Sequence, residues 1–376
     1  MSNEQRATSN EQRATSNEQR ATSNSYNYAL KSDTNSSSEK IYIALSVYDP
    51  KGTYSQHAGV VMTSIFENTQ SPVCVYILHD ETLTQDNRQK FLRTAEKYNQ
   101  EINLIDVTEY AKQINPNIFA EIKTFITFGA LYRLFIPQII NLDKIIYLDC
   151  DVNVNLDIKE LWDVNVKNYY AAAVLDKNGV DVFFKGKKSY YIWFFKCKIN
   201  NCDIKDYFCS GVMLMNLNNI RNSGNLFENS MKWLKRHKHT ADYGDQDILN
   251  SLFYGHMKFI DKKFDNLVTL KGVGIEPENT ITHSGGEPKL WRVTGNAWQY
   301  FYWQYYLKSA WGENLSRENL VKVMLDAAYK PEQEQLKKSL LIRATQKIWH
   351  KICPSGFRRC VKMLCSEFLY RVGLKK

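Results

Sequence analysis

The stretch Lys144–Trp162 (KIIYLDCDVNVNLDIKELW) constrains the fold more than any other part of the chain. An apolar run, Ile145–Leu148, leads directly into Asp149-Cys150-Asp151. A β-rich apolar run of this length predicts a buried strand. Two carboxylates at the end of such a strand repel each other, whether the chain stays extended or turns. A divalent cation removes that cost, so we predict a metal site here.

Two other interpretations of this stretch remain open. Asp-x-Asp is common in solvated turns. Six residues also fall at positions 1, 3, 5, 7, 9 and 12 of a calcium loop: Asp149, Asp151, Asn153, Asn155, Asp157 and Glu160. Position 6, which needs Gly, is Val154, and the preceding residues are typical of a strand, so the calcium loop is disfavoured.

The N-terminal half alternates apolar runs with helical patterns, which predicts an α/β fold. The strands are Ile41–Val47, Val73–Leu78 and Ile102–Val107, and the helices are His57–Asn68 and Thr84–Tyr98. This order favours a mostly parallel sheet with crossover helices on both faces. Ligands bind beyond the carboxyl ends of such strands, where the loop Ser46–Tyr54 and the Asp149/Asp151 pair both fall.

Further polar residues stand out against apolar surroundings. Arg133 is the single charge in a predicted helix, Phe128–Ile136, and a structural ion pair is its simplest explanation. Asp176 follows a predicted strand, Ala171–Leu175, as a turn or cap would. Asp245-Gln246 opens a predicted helix, where an Asp is ordinary capping chemistry. His283, two glycines and Lys289 share one short segment, a combination that favours an anion or metal site.

Three motifs resemble those of the family 8 retaining glycosyltransferases in order and spacing. They are YLDCDVNV followed by LW, the string DQDILN at Asp245–Asn250, and THSGGEPKLWR at Thr282–Arg292. The strand Tyr207–Leu217 resembles another family segment, but Cys209 stands where Asn is usual and Ser210 where Ala is usual. The acidic pair that the family carries after the first strand is replaced by Val47-Tyr48-Asp49. The resemblance covers roughly residues 41–300.

The resemblance implies a GT-A type, Rossmann-like domain that uses Mn²⁺ or Mg²⁺ and a UDP-sugar. It assigns the metal to Asp149, Asp151 and His283. It assigns nucleotide contacts to Leu45, Ser46, Tyr54, Asp149, Cys150, Asp151, Gly286 and Lys289. It assigns donor-sugar contacts to Arg133, Asp176, Ser210, Asp245 and Gln246, of which Gln246 and Asp245 are the candidate catalytic residues. Retention by double displacement or by front-face attack both remain open.

The two ends of the chain differ in composition from the middle. Residues 2–22 are three copies of Ser-Asn-Glu-Gln-Arg-Ala-Thr, whose one apolar residue cannot form a coiled-coil seam. We predict disorder for residues 1–40, the catalytic domain at 41–300 and a basic, amphipathic, helical region at 301–376. Residues 331–376 carry 11 Lys and Arg against 3 Asp and Glu, within a chain of net charge +9.

This basic C-terminal region favours contact with an anionic membrane surface. Helices packed on the catalytic domain are the alternative, and no motif supports nucleic acid as a partner. The aromatic, Lys-rich insertion 177–206 suggests an acceptor-binding or lid segment. Eight Cys without metal-site spacing, and no signal pattern, favour a cytoplasmic protein at the inner face of the plasma membrane.

The family resemblance implies transfer of galactose or glucose from a UDP-sugar, and the basic C-terminal region favours a cell-surface glycan, such as lipooligosaccharide or lipopolysaccharide, as the acceptor. A surface glycoprotein is an alternative acceptor. A non-catalytic scaffold that binds a sugar nucleotide is the alternative from another functional class. The intact set of Asp149, Asp151, His283 and Lys289 favours the enzyme.

Overall fold

A computed structural model of the chain describes most of residues 39–324. The described residues are 27–28, 39–114, 127–176, 194–237, 239–241, 243–269, 272–273, 276–286, 289–292, 297–316 and 318–324. The predicted amphipathic helices beyond residue 324, most of the predicted disordered segment 1–40 and residues 177–193 of the insertion lie outside this set.

An eight-stranded sheet forms the centre of the molecule, with strand order β1-β4-β3-β2-β5-β8-β7-β9. Its strands are β1 (Asn27–Tyr28), β2 (Ile41–Val47), β3 (Val73–His79), β4 (Glu101–Asp106), β5 (Lys144–Leu148), β7 (Ala171–Leu175), β8 (Phe208–Asn216) and β9 (Met257–Phe259). Strands β4, β3, β2 and β5 are mutually parallel, and β8 runs antiparallel to β5 and β7. The predicted mostly parallel α/β sheet is confirmed.

Helices cover both faces of this sheet. They are α1 (Ser55–Asn68), α2 (Gln85–Lys97), α3 (Thr108–Ala111), α4 (Phe128–Tyr132), α5 (Ile136–Ile139), α6 (Lys159–Trp162), α7 (194–199), α8 (Leu217–Asn222), α9 (Leu226–His237), α10 (Asp245–Leu252), α11 (Ala297–Lys308) and α12 (318–324). Side chains alternate across each strand, so Ile43 packs in one apolar cluster with α1 and α2, and Ala44 packs in another with α4 and α5.

A smaller, four-stranded sheet lies beside the carboxyl end of β5. Its order is β11-β10-β12-β6, with β6 (Val152–Val154), β10 (Asn266–Thr269), β11 (Gly272–Val273) and β12 (Ile281–His283). Strand β6 follows β5 after a turn and pairs antiparallel with β12. Asn153 is a buried residue of β6 opposite Thr282, so residues 149–160 do not form a calcium loop between two helices.

The helix predicted at Phe128–Ile136 is interrupted. Residues Arg133–Phe135 form a 3₁₀ turn between α4 and α5. Pro137 has no N–H to donate to the carbonyl of Arg133, which instead accepts from Ile136, three residues on. The tighter turn therefore follows from one proline that the helical pattern conceals.

Helix α11 packs on the catalytic domain across the predicted boundary at residue 300. Trp298, Tyr302, Tyr305 and Tyr306 are buried in one cluster with Val60 of α1. None of the helices in the described part of the chain has the length and apolarity needed to span a bilayer.

Candidate active site

The turn between β5 and β6 carries the first two predicted metal ligands. The main-chain N–H of Asp149 donates to the carbonyl of Gly211 at 2.8 Å, and the N–H of Ser284 donates to the carbonyl of Asp151 at 3.0 Å. The chain therefore turns at the Asp149/Asp151 pair, and the turn is anchored to β8 on one side and to the end of β12 on the other.

The third predicted ligand, His283, ends strand β12 and faces this turn. Its Nε2 lies 3.4 Å from Oδ1 of Asp151. Ligand atoms of Asp149, Asp151 and His283 all lie within 4.8 Å of one another. Two carboxylate oxygens and one imidazole nitrogen suit Mn²⁺ or Mg²⁺, so these residues fit the predicted cation.

Asp265 contacts the Nδ1 side of the His283 ring, away from the Asp149/Asp151 pair. This contact was not predicted from the sequence. Oδ1 of Asp265 lies 2.9 Å from Nδ1 of His283, in a buried pair of residues. Burial disfavours the imidazolium, yet the Asp265 carboxylate and its neighbours raise the pKa of His283 well above its ordinary value. A carboxylate on Nδ1 orients the ring with Nε2 toward a metal. No local pattern in the sequence connects Asp265 to a histidine in another strand.

Gly211 on β8 provides the space for two of these ligands. A Cβ at this position would lie 2.2 Å from Cε1 of His283 and 2.9 Å from Oδ2 of Asp149. A glycine in the interior of a strand often marks a place where another group approaches the backbone closely. The structure shows that the room is taken by the side chains of the predicted metal ligands.

Arg133 is buried at the centre of the site and forms the ion pairs that its apolar surroundings predicted. Its Nη2 lies 2.5 Å from Oδ1 of Asp149 and its Nε lies 3.2 Å from Oδ2 of Asp245. Its Nη1 donates to the carbonyl of Ser210 at 2.7 Å. The guanidinium stacks 4.3 Å from the ring of Tyr147, whose hydroxyl donates to Asp149 at 2.9 Å. One arginine thus links the turn at Asp149–Asp151, called the metal turn below, to the predicted sugar-binding residues.

The single guanidinium does not fully offset the buried carboxylates around it. Burial, with Asp149 adding to it and Arg133 opposing it, raises the pKa of Asp245 to about 6. Burial also raises the pKa of Asp149, against the attraction of Arg133. Further positive charge at this point, from a cation, would stabilise the ionised forms.

Lys289 approaches the same turn from the opposite side. Its Nζ lies 2.5 Å from Oδ2 of Asp151 and donates to the carbonyl of Ser284 at 2.8 Å. Burial disfavours the Asp151 carboxylate, but Lys289 and His283 hold its pKa below the ordinary value. Gly286, three residues before Lys289, is exposed, and a Cβ there would meet no atom within 4 Å. This segment therefore offers one fixed ammonium and an open stretch of backbone.

The predicted sugar-binding residues meet between β7, β8 and α10. The Gln246 side chain donates from Nε2 to Oδ2 of Asp176 at 3.2 Å and accepts from the N–H of Ser210 at 3.0 Å. Asn250 bonds both main-chain groups of Phe208, at 2.8 and 2.9 Å, and so fixes α10 against the start of β8. The amide of Gln246 is therefore held in one orientation.

The two aspartates at the start of α10 have different roles: Asp247 caps the helix and Asp245 belongs to the candidate site. Gly244 precedes the helix at φ +59°. Asp247, inside the first turn, accepts from the N–H of Tyr243 at 2.7 Å. Capping accounts for Asp247, whereas the side chain of Asp245 is directed at Arg133.

Asp49, in the loop between β2 and α1, is used for structure. Its carboxylate accepts from the N–H groups of Thr53, Tyr54 and Ser55 at 2.7 to 2.8 Å. It is 1% exposed, so it organises the loop and the first turn of α1 instead of facing a ligand. Tyr54 is partly exposed and stays available as a nucleotide contact.

The other predicted nucleotide contacts on β2 are buried. The thiol of Cys150 donates to the carbonyl of Ser46 at 3.2 Å, which ties the metal turn to the end of β2. Leu45 packs in the apolar core, and its strand is paired on both sides, with β3 and β5. Every predicted site residue except Leu45 thus lies near the carboxyl ends of the central strands β2 and β5.

An aromatic cluster that the sequence did not reveal supports the Lys289 segment. The ring of His57 stacks on Trp291 at 3.7 Å, and its Nδ1 lies 2.7 Å from the hydroxyl of Tyr302. Burial lowers the pKa of His57 to about 3, so the ring is neutral. The cluster joins α1 and α11 to the segment that carries Lys289.

Comparison with protein families gives one match across this region. The sequence model of glycosyl transferase family 8 matches residues 46–294. A Haemophilus influenzae protein, provisionally named a glycosyltransferase, is 30% identical over 63% of this chain and 70% of its own length. The lipopolysaccharide 1,3-galactosyltransferase of Salmonella typhimurium is 25% identical over 72% of this chain and 77% of its own length.

Two further comparisons concern a second relative and a solved structure. The lipopolysaccharide 1,2-glucosyltransferase of Escherichia coli is 25% identical over 63% of this chain and 65% of its own length. The crystal structure of the galactosyltransferase LgtC, with donor and acceptor sugar analogues, is similar at a TM-score of 0.58 and 21% identity, over 74% of this chain and 98% of that one. The structural similarity supports the GT-A type fold.

Proposed function

Because the chain belongs to glycosyl transferase family 8 and is a glycosyltransferase, we propose that it transfers galactose or glucose from a UDP-sugar to a cell-surface glycan, with retention. The observation that carries this proposal is the convergence of Asp149, Asp151 and His283 beside Lys289. Those three side chains would hold Mn²⁺ or Mg²⁺. The cation supplies charge stabilisation for the departing diphosphate.

The chain's own residues divide the remaining work. Lys289 is held next to Asp151, where its ammonium meets a diphosphate as a point charge. The exposed backbone at Gly286 leaves room for phosphate oxygens. Tyr54 and the end of β2 at Ser46 form the nucleotide side of the proposed site.

A second group of residues would bind the donor sugar. Asp176, Gln246 and the Ser210 main chain form one hydrogen-bonded surface. Asp245 is tied to Arg133 by an ion pair, and the Gln246 amide is engaged at both ends. Neither side chain is thereby presented as a free nucleophile, which favours front-face attack over double displacement. In that route the leaving diphosphate oxygen takes the proton of the acceptor hydroxyl.

The acceptor is proposed from the relatives and the basic C-terminal region. Two relatives are named for transfer to lipopolysaccharide. The 11 Lys and Arg of residues 331–376 would attract the chain to the anionic inner face of the plasma membrane. A growing lipooligosaccharide or lipopolysaccharide presents its sugars at that surface, so a glycolipid is favoured over a surface glycoprotein.

Release of UDP from a panel of UDP-sugars, with Mn²⁺, tests this function. We expect slow hydrolysis of UDP-galactose or UDP-glucose by the wild type, reduced about a hundredfold or more in Asp151→Asn. The matched control is Asp163→Asn, an exposed carboxylate paired with Lys159, and it should behave as the wild type. Absence of release from every donor, even with membrane extract as acceptor, would favour the non-catalytic scaffold.

A further inference from the structure

A second cluster of ligating side chains adjoins the predicted metal site and shares His283 with it. Cys209, Asp265 and His283 are buried, and one ligand atom of each lies within 4.8 Å of the others. Nδ1 of His283 lies 3.7 Å from Sγ of Cys209 and 2.9 Å from Oδ1 of Asp265. The Asp149/Asp151 pair lies on the Nε2 side of the same ring.

We propose that Cys209, Asp265 and Nδ1 of His283 form a binding site for Zn²⁺ that inhibits the enzyme. A thiolate is a soft ligand that selects Zn²⁺ over Mg²⁺ or Mn²⁺. Zinc bonds of about 2.3 Å to sulfur and about 2.0 Å to nitrogen, at a tetrahedral angle, separate S and N by about 3.5 Å. The observed separation of 3.7 Å is close to that value. The carboxylate needs to withdraw from Nδ1 by only a few tenths of an ångström.

The Asp265 carboxylate supplies an independent sign of a missing ligand. Its Oδ2 is buried and receives no hydrogen bond from the part of the chain that the structure describes. The side chain of Asp265 is 0% exposed, so bulk solvent does not reach this oxygen. A buried carboxylate oxygen without a partner is costly, and a cation bound beside it satisfies it.

Zinc at this site excludes the catalytic cation, a consequence that rests on the proposed function. On binding, the thiol of Cys209 releases its proton to solvent, and Nδ1 of His283 gives up its own. The remaining imidazole proton then lies on Nε2. An N–H group has no lone pair to donate to a metal. With zinc on Nδ1, His283 therefore cannot bind the catalytic cation together with Asp149 and Asp151.

Exposure increases from the proposed zinc site toward the predicted active site. The Asp149 side chain is 26% exposed, whereas those of His283 and Asp265 are 3% and 0% exposed. Zinc would therefore reach its ligands from the side of Asp149.

Cobalt(II) absorption tests the site without any measurement of activity. Co²⁺ in place of Zn²⁺ gives an intense near-ultraviolet band when a thiolate is bound. We expect this band in the wild type, its loss in Cys209→Ser, and its retention in the control Cys74→Ser, which alters another buried thiol. Absence of the band in the wild type, or its persistence in Cys209→Ser, would overturn the proposal.

The Asp151→Asn variant separates this site from the proposed function. It removes a ligand of the catalytic cation and keeps all three proposed zinc ligands, so the cobalt band should persist. In the wild type, Zn²⁺ should inhibit UDP release and Mn²⁺ should relieve the inhibition. In Cys209→Ser we expect at least tenfold more Zn²⁺ to be needed. Equal inhibition of both proteins would contradict the exclusion, whatever donor sugar is used.

Discussion

At the scale of single residues, the site is a cluster of buried charges that a cation completes. Four carboxylates, those of Asp149, Asp151, Asp245 and Asp265, contact Arg133, Lys289 or His283. Arg133 serves two of the carboxylates, and the pKa of Asp245 is raised to about 6 despite it. The four carboxylates thus favour binding of a cation at the cost of a lower stability of the folded chain.

The raised pKa of Asp245 predicts a stability cost that depends on pH. Because the folded-state pKa lies near 6 and the ordinary value is 3.8, the folded protein binds this proton more tightly than the unfolded chain between those values. The contribution of Asp245 to the free energy of unfolding therefore falls by about 2–3 kcal/mol as pH rises from about 4 to about 6.

Asp245→Asn should remove this cost. We expect a higher melting temperature than the wild type at pH 8, little difference at pH 4, and loss of transfer at both, as thermal melts and UDP release would show. An equal decrease in melting temperature at both pH values would mean that the Arg133 ion pair stabilises the fold.

Gly211→Ala should weaken metal binding without unfolding the protein. The new Cβ would displace His283 and Asp149, and displaced ligands typically cost 10- to 100-fold in metal affinity. Gly286→Ala is the matched control, because its Cβ meets no atom of the described residues; we expect unchanged Mn²⁺ affinity and weaker UDP binding. Titration calorimetry with Mn²⁺ and with UDP measures both, and normal Mn²⁺ binding by Gly211→Ala would contradict the assignment.

Candidate ligands that lie close together along the chain are recognisable from the sequence. Asp149 and Asp151 flank one residue at the end of an apolar run, and His283 and Lys289 share a short motif. Asp265 and His57 were missed because their partners, His283 and Tyr302, belong to distant elements. Such contacts depend on tertiary packing, which no local pattern encodes.

At the scale of elements, the long buried strands were predictable and the short ones were not. β2, β3, β5 and β7 are continuous apolar runs, as expected of strands covered on both faces. β6 and β12 are three residues each, too short for a pattern, although they position His283 against the metal turn. The 3₁₀ turn at Arg133 likewise depended on one proline.

Helix α1 is fixed to the C-terminal side of the domain through Gly59. A Cβ at Gly59 would lie 2.2 Å from the ring of Trp311. Overpacking of this kind costs about 1–3 kcal/mol, more than the roughly 1 kcal/mol that Ala gains over Gly in a helix. We therefore expect Gly59→Ala to lower the free energy of unfolding.

The sign should reverse when the ring is removed. In a Trp311→Leu background the same Gly59→Ala change should be neutral or stabilising, because only helix propensity remains. Denaturant unfolding of the four proteins of this cycle measures the coupling. Additive effects would show that Trp311 does not press on α1.

At the scale of the whole molecule, helix α11 spans the predicted domain boundary at residue 300 and packs on the residues before it. Tyr302, Tyr305 and Tyr306 of α11 are buried against the domain, and Asn68 of α1 donates to the hydroxyl of Tyr305 at 2.8 Å. Each buried tyrosine removes about 150–250 Å² of surface from water. Their loss would approach the whole stability of a typical domain.

Truncation separates this packing role from the proposed membrane role. A chain ending at residue 300 should be insoluble or unfolded, whereas one ending at residue 324 should fold and bind UDP. The longer truncation should fail to sediment with anionic vesicles that retain the full chain, since residues 331–376 carry a net charge of +8. Vesicle binding by the 324-residue chain would contradict the proposed role of the C-terminal region.

The central claim is that Asp149, Asp151 and His283 hold a cation through which the protein binds its UDP-sugar donor. Calorimetric titration with UDP, in Mn²⁺ and in chelator, tests it most directly. We predict tight UDP binding in Mn²⁺, binding at least tenfold weaker in chelator, loss of the Mn²⁺ effect in Asp151→Asn, and wild-type behaviour in Asp163→Asn. Equal UDP affinity with Mn²⁺ and with chelator would contradict the account.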